Sequence, residues 1–369
     1  MSISAPLLAW YDAHHRDLPW RRTSDAWAIL VSEVMLQQTR VEVVDGYWRR
    51  FMARFPAPRD LAEADEEELL AMWAGLGYYR RARNLQRAAE TIVREHGGRF
   101  PEEFDAILAL PGVGRYTAGA VASIALGQAA PLVDGNVSRV FSRLYRIAGD
   151  PTKGPALKRH WALAEELLDP TRPGDYNQAL MELGALVCRP KSPHCLQCPL
   201  TDRCASLRDS VVDRYPAPRQ RKETVEVRLA ALRIERRGAI GLIKRAPGQR
   251  MAGLFDLPSI ELGADDDAAR QLTRWMQHEH GLSIGDVTAA GETAHGITHH
   301  KIRAEVFRTS AVRKPRRADA RAESAASDTT HQHGIAPRAD ELGIRFFLPD
   351  EVAEIGLSAL ARKMLSASE

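Results

Sequence analysis

The sequence predicts a multidomain chain: an all-α domain followed by a smaller α+β domain. Three observations carry that expectation. Residues 5 to about 207 place apolar side chains at helical spacing, residues 208–224 are charged and proline-punctuated, and residues 225–260 change to alternating apolar and polar positions. At 369 residues and 44% hydrophobic composition, the chain also exceeds what one core ordinarily serves.

Taken in order, the helical stretch (domain 1–207) contains amphipathic runs at Ala26–Arg40, Glu66–Trp73, Arg83–Glu95 and Thr117–Leu126. Pro and Gly punctuate the connections, as in Phe55-Pro56-Ala57-Pro58, Gly97-Gly98-Arg99-Phe100-Pro101 and Leu110-Pro111-Gly112-Val113-Gly114. The segment Asp213 to Lys222 suits a linker within 208–224. Domain 225–369 opens with Val225, Val227, Leu229, Ile240 and Leu242 in sheet-like alternation, and helices are expected at about 266–280 and 349–365. Residues 311–340 hold only Val312 and Ile335 as large aliphatics, too little apolar surface to offset the ordering of the chain, and are expected to form a disordered insertion. The run Arg313-Lys314-Pro315-Arg316-Arg317 reads as solvated charge, and His331 with His333 as no metal site.

Fifty-one Lys and Arg against 48 Asp and Glu leave a net charge of only +3, so affinity for a polyanion must come from local patches. No apolar run approaches the roughly 20 residues a membrane helix needs, and Met1 to Asp12 lacks a basic segment leading into an apolar one. A soluble cytoplasmic monomer, with no membrane partner, is expected.

All four cysteines fall at Cys188, Cys195, Cys198 and Cys204, with the spacing C-x6-C-x2-C-x5-C. Four thiolates that close together suggest one metal centre rather than disulfides, and the spacing alone leaves both structural zinc and an iron–sulfur cluster open. Leu110 to Ala118 reads as a tight turn opening directly into a helix. Gly112 and Gly114 there permit positive φ and close backbone approach, the form of a helix-hairpin-helix that offers amides to a phosphate; an ordinary interhelical turn is the plain alternative. Asp134, in Val133-Asp134-Gly135-Asn136-Val137 before a helix over Ser138–Ile147, is either a cap or a functional acid. Glu33 and Gln37 share a helix face opposite the apolar stripe Leu30, Val31, Val34 and Met35. Two carboxylates of unlike environment are what cleavage of a glycosidic bond requires: one protonated acid for the leaving group and one anion beside an oxocarbenium-like sugar.

With these residues in hand, positions 5 to 207 resemble the adenine DNA glycosylase family, whose members remove adenine mispaired with 8-oxoguanine. The resemblance rests on Leu18-Pro19-Trp20-Arg21, Ser32 to Thr39, Gly75-Leu76-Gly77-Tyr78-Tyr79, the Leu110 to Ala120 hairpin, Asp134-Gly135-Asn136-Val137 and the four cysteines. It implies a helix-hairpin-helix glycosylase domain with a [4Fe-4S] cluster on those cysteines, acting in base excision repair on duplex DNA with A:8-oxoguanine or A:G mispairs, and hence association with the nucleoid. It further implies that Glu33 protonates a flipped adenine and Asp134 stabilises the cationic sugar. Tyr116 and Asn136 match positions that support Asp134 and the reacting sugar, while Arg16, Trp20, Arg21, Leu36 and Glu182 match the adenine pocket. Gln37, Gln38, Thr39 and Tyr78 match DNA contacts, with Gln38 and Tyr78 wedging into the base stack. The run Arg80, Arg81, Arg83, Arg87, Arg94 and Arg99, against only Glu90 and Glu95, is read either as a source of phosphate contacts or, for several of its side chains, as the solvated face of a helix.

The second domain resembles the family's Nudix-like lesion-recognition module more loosely. Arg250 to Pro258 keeps part of a strand pattern, no Nudix catalytic box is present, and pyrophosphatase activity is not expected. Ile297-Thr298-His299 stands where the family's lesion probe lies, with Thr298 and His299 as its polar groups. Two other readings compete: a glycosylase-lyase of the same helical fold, which needs a nucleophilic lysine where this chain has Tyr116, and a DNA-scanning protein without chemistry, against which both acids argue.

Overall fold

Apolar residues recurring every three or four positions give helix after helix through the first half of the chain, and each buries its stripe against its neighbours. The computed structural model describes residues 2–217, 223–246, 248–249, 251–310, 312–313 and 343–368. Apart from Val312 and Arg313, the expected insertion with His331 and His333 lies outside the described residues, as do 218–222 of the linker. Met1–Ala64 with Arg80–Arg221 make one compact unit, and Asp65–Tyr79 cluster with Lys222–Glu369 in the other. No helix among the described residues is long and apolar enough to cross a membrane.

In the first unit, Leu7, Tyr11, Leu132, Phe141, Tyr176 and Leu183 are members of one buried core. Burying a side chain of this size is worth roughly 1.5–3 kcal/mol relative to leaving it exposed. The helix Arg115–Ile124 approaches its neighbours closely at Gly119, where a Cβ would lie 2.2 Å from the Pro131 carbonyl oxygen. The helix Ala26–Leu36 starts where the Asp25 carboxylate accepts from the Trp27 amide at 2.9 Å, and it is buried from Ala26 through Met35. It ends four residues before the expected Arg40. The cause is Arg81, which is not solvated beside phosphates but buried, its guanidinium donating to the carbonyls of Val34, Met35 and Gln37. Around the helix that carries Arg81, Arg80–His96, the remaining arginines of that run are exposed or half-buried.

The second unit is built on a mixed sheet whose spine is β1 (Val225–Arg236), with β2 (Ala239–Lys244), β3 (Phe255–Asp256), β4 (Ser259–Leu262), β6 (Thr288–Ile297), β7 (His300–Thr309) and β9 (Arg345–Phe347), while β5 (Ser283–Ile284) and β8 (Val312–Arg313) pair with each other as a separate two-stranded sheet. Among the described residues, β1 runs parallel to β7, pairing Val225 with His300 through Ile234 with Thr309, and antiparallel to β2 and β4 along its other edge. The sheet is covered on both faces. Val227, Leu229 and Ala231 pack with Leu360, Ala361 and Met364, while Ala230, Leu232 and Ile234 pack with Leu272 and Met276. That double burial blurs the two-residue alternation towards the continuous apolar run of a central strand.

Helix Ala268–His280 starts with Asp267 accepting from the Arg270 amide and ends on Gly281 at φ +60. The single helix expected over 349–365 is instead two, Pro349–Glu354 and Ala359–Ala367. Between them the Gly356 carbonyl accepts from the Phe255 amide at 2.9 Å, a strand-like bond that a helix cannot offer.

Candidate active site

A cavity of about 550 Å³ in the first unit is walled by Arg16, Trp20, Arg21, Glu33, Leu36, Gln37, Gln38, Thr39, Tyr116, Asp134, Asn136 and Glu182, among others. The sequence names all twelve. They come from Arg16 and the 3-10 turn Pro19–Arg21, the helix Ala26–Leu36 with the turn Gln37–Thr39 after it, the helix Arg115–Ile124, Asp134 at the N-cap of the helix Gly135–Tyr145 with Asn136 in its first turn, and the helix Pro173–Leu186.

Glu33 is buried on its helix, and Tyr116 donates to its Oε2 at 2.5 Å. Burial raises its pKa to about 7 against that hydrogen bond, and the Asp134 carboxylate pushes in the same direction as burial. At neutral pH the side chain is therefore divided between acid and anion, the condition a general acid needs. Tyr116, which the resemblance assigns to the support of Asp134, thus has Glu33 as its acceptor, and its hydroxyl also approaches the Met181 sulfur at 3.4 Å.

Asp134 caps its helix, accepting from the Val137 amide at 2.6 Å and from Asn136 Nδ2 at 2.9 Å. Burial holds its carboxyl above the ordinary range, opposed by these donors and by Arg139. The capping reading and the functional reading of Asp134 are thus compatible. Sequence reasoning missed Arg139, which donates to Asn136 Oδ1 and Gly184 O at 2.7 and 2.8 Å and to the Cys188 carbonyl at 2.7 Å. It also missed Gln178, Met181 and Ala185, whose spacing around Glu182 marks one face of a helix.

On the opposite wall, burial would raise Glu182, but the hydrogen bonds of Arg16 and Arg21 outweigh it and hold the carboxyl down to about 2. Arg16 reaches it with Nε and Nη2 at 2.9 and 2.7 Å, and Arg21 with Nη1 and Nη2 at 3.0 and 2.8 Å. Both forks are spent on one carboxylate, so the trio is an ordered platform with one net positive charge rather than two mobile cations. Trp20 and Leu36 supply flat and apolar surface beside it.

The hairpin joins the short helix Phe104–Leu108 to the helix Arg115–Ile124. Only one of its two glycines uses positive φ. Gly112 sits at φ +79, with a Cβ there meeting Asn84 at 2.5 Å, whereas Gly114 has φ −100 and open space around it. The turn therefore does not depend on glycine at Gly114. Outside the cavity, Tyr78 is 46% exposed at φ +49, and Thr298 occupies the two-residue turn of the β6–β7 hairpin at φ +54, with Ile297 paired to His300. Gln38 is at φ +58, and Arg146, Ser192, Ser210, Arg237 and Met251 share the left-handed region with these three residues, so the conformation alone does not set them apart. His299 is the second residue of that turn.

Cys188, Cys195, Cys198 and Cys204 line one small cavity with Leu144, Leu183 and Leu200. No group of three or more His, Cys, Asp or Glu side chains among the described residues is arranged to hold a single metal ion. Burial pushes the Cys198 thiol up to about 12. Arg143, buried beside it, donates to the Cys188 sulfur at 3.4 Å and to the Arg189 and Pro190 carbonyls at 2.7 and 3.2 Å.

Residues 31–166 match the model of HhH-GPD superfamily base excision DNA repair proteins, and residues 229–367 that of the NUDIX domain. The adenine DNA glycosylase of Homo sapiens is 38% identical over 360 residues, which span 82% of this chain and 65% of that protein. This chain thus spans just under two thirds of the human relative. That of Schizosaccharomyces pombe is 33% identical over 368 residues, spanning 82% of this chain and 80% of that one. Among solved structures, a thermostable thymine-DNA glycosylase superposes with a TM-score of 0.52 at 31% identity, covering 56% of this chain and 95% of that one.

Proposed function

Because this chain belongs to the adenine DNA glycosylase family of base-excision DNA N-glycosylases, we propose that it hydrolyses the N-glycosidic bond of adenine mispaired with 8-oxoguanine or guanine, without an accompanying lyase step. The observation that carries this reading is the pair of carboxyl groups on one cavity, Glu33 buried and Asp134 half-buried, with different donors. Burial pushes both upward: Glu33 reaches about 7 against a single hydrogen bond from Tyr116, whereas Asp134 accepts from the Val137 amide and the Asn136 side chain, which favour its anion. A base turned out of the duplex enters the cavity, where Trp20 and Leu36 offer contact and the Arg16–Glu182–Arg21 platform offers polar edges.

Glu33 delivers its proton to N7 of the adenine as the C1′–N9 bond lengthens, so that the base leaves neutral. Tyr116, donating to Glu33, receives the carboxylate that results. Asp134 faces the developing positive charge on the sugar, and water completes the substitution at C1′. A lyase step would need an amine to attack that carbon, and no lysine is among the described residues lining the cavity.

The four cysteines facing one apolar cavity, with the buried cation of Arg143 against Cys188, fit a [4Fe-4S] cluster held by one thiolate each. When bound, such a cluster supplies cross-links that order residues 188–204. The β6–β7 turn with Thr298 and His299 is assigned to reading the opposite base, and Gly112 and Gly114 to phosphate contact.

The test is release of adenine from duplexes with A:8-oxoguanine, A:G and A:T pairs, followed by gel analysis with and without hot alkali. Adenine loss from the first two, with strand breaks only after alkali, is expected. Breaks without alkali, or trapping of the wild type by borohydride, would overturn the monofunctional assignment.

A further inference from the structure

The helix that carries Glu33 ends by means of a side chain that no motif reading assigns to it. Its last carbonyls have no partner within the helix, and such groups must be satisfied when buried. Arg81 Nη1 accepts that task for three of them, lying 2.8 Å from Val34 O, 2.8 Å from Met35 O and 2.6 Å from Gln37 O, while Nη2 donates to Thr39 Oγ1 at 3.2 Å. The chain turns sharply at this point. Gln37 leaves the helix at φ −57 and ψ 110, and Gln38 follows in the left-handed region at φ +58. Gln37, Gln38 and Thr39 then line the cavity mouth beside Glu33.

We propose that Arg81 is the positioning residue for the Gln37–Thr39 turn, and that it governs how fast adenine is turned out of the duplex rather than how fast the glycosidic bond breaks. This rests on the reading that the chain is an adenine glycosylase acting on duplex DNA. The physical argument is that a non-glycine residue at positive φ persists only where its surroundings over-determine it. One planar cation binding the helix end and the far side of the turn at once does so. A buried charge held by four oxygen acceptors is also costly to disturb, so the turn has one arrangement rather than several. The same contacts place a positive charge at the negative end of the helix, where it is stabilising. Glu33, one turn back from that end, is held by its own burial and by Tyr116 rather than by Arg81.

The full-length protein would be tested by stopped-flow fluorescence, with 2-aminopurine beside the target adenine in an A:8-oxoguanine duplex. Single-turnover cleavage would be measured across pH in parallel. Arg81→Met is expected to slow the fluorescence rise about tenfold or more, while the pH midpoint of the cleavage step set by Glu33 stays at its wild-type position. Arg81→Lys, which keeps a buried cation without a planar fork, serves if the Met variant does not fold, and is expected to show a smaller slowing in the same step. Wild-type flipping in the soluble variant, or a displaced pH midpoint with flipping unchanged, would overturn the proposal. A wild-type protein that flips but releases no adenine would instead overturn the glycosylase reading and leave the assignment of Arg81 standing.

Discussion

Replacing Glu33 with Gln is expected to abolish adenine release and, at the same time, to make the protein more stable above neutral pH. The carboxyl has an ordinary value of 4.5 and rises to about 7 on folding. Folding therefore favours the protonated form. Below pH 4.5 both states hold the proton and Glu33 costs nothing; between 4.5 and 7 the unfolded chain ionises first, and stability falls; above 7 the loss is complete and level. At roughly 1.4 kcal/mol per pH unit, the full loss is about 3 kcal/mol. An amide has no charge to bury and can still accept from Tyr116, so Glu33→Gln should recover most of that amount at pH 8 and almost none at pH 4. Loss of a general acid costs roughly 10² to 10⁴ in rate. The assays are single-turnover release of adenine at pH 7 and thermal unfolding at several pH values. The wild-type rate should itself fall about tenfold per pH unit above about 7, with an acid limb set by Asp134, the two limbs belonging to the coupled pair. A variant that cleaves at close to the wild-type rate, or whose midpoint exceeds the wild type equally at pH 4 and pH 8, would refute the reasoning.

Protein purified without oxygen should be yellow-brown with iron and sulfide, and Cys198→Ser should lose the colour and most of its DNA binding; zinc in place of iron by metal analysis would end that assignment. Gly184→Ala would put a Cβ 2.6 Å from that of Asn136; we expect cleavage to slow by about tenfold or more, and unchanged kinetics would show that Asn136 can move without consequence for Asp134. Thr298→Ala with His299→Ala should lower the ratio of rates on A:8-oxoguanine and A:G by about tenfold, or roughly 1.4 kcal/mol. An unchanged ratio would move lesion reading away from the β6–β7 turn.

Much of the site was legible because its residues announce themselves locally. Four cysteines within 17 positions need no tertiary context, and Glu33 lies among apolar neighbours that a surface helix would not carry. What could not be read is what depends on residues far apart in sequence. The Ser32 to Arg40 stretch contains nothing that stops a helix, and the residue that stops it, Arg81, looks like one more exposed arginine in a basic run until its partners at 34, 35 and 37 are seen. The break at Ile355–Ser358, by contrast, carries local signals, Gly356 and the Ser358 side chain that accepts from the Ala361 amide to start the second helix, beside the bond from the Phe255 amide to the Gly356 carbonyl. Tyr116 was named, but which carboxylate it serves is a matter of how two helices pack.

Asp134 is the N-cap of the helix Gly135–Tyr145 and lines the cavity, where the proposed reaction uses it as the anion, and this double employment bears on how variants at that position should be interpreted. Removal of a cap costs about 0.5–2 kcal/mol by itself, so Asp134→Ala confounds a frayed helix with a missing charge, and its inactivity proves neither. Asparagine caps about as well as aspartate, so Asp134→Asn retains the helix start and removes only the negative charge. A library selected for folding would therefore accept asparagine at 134 while one selected for adenine release would reject it, and the gap between the two tolerances at this single position would measure the electrostatic contribution alone.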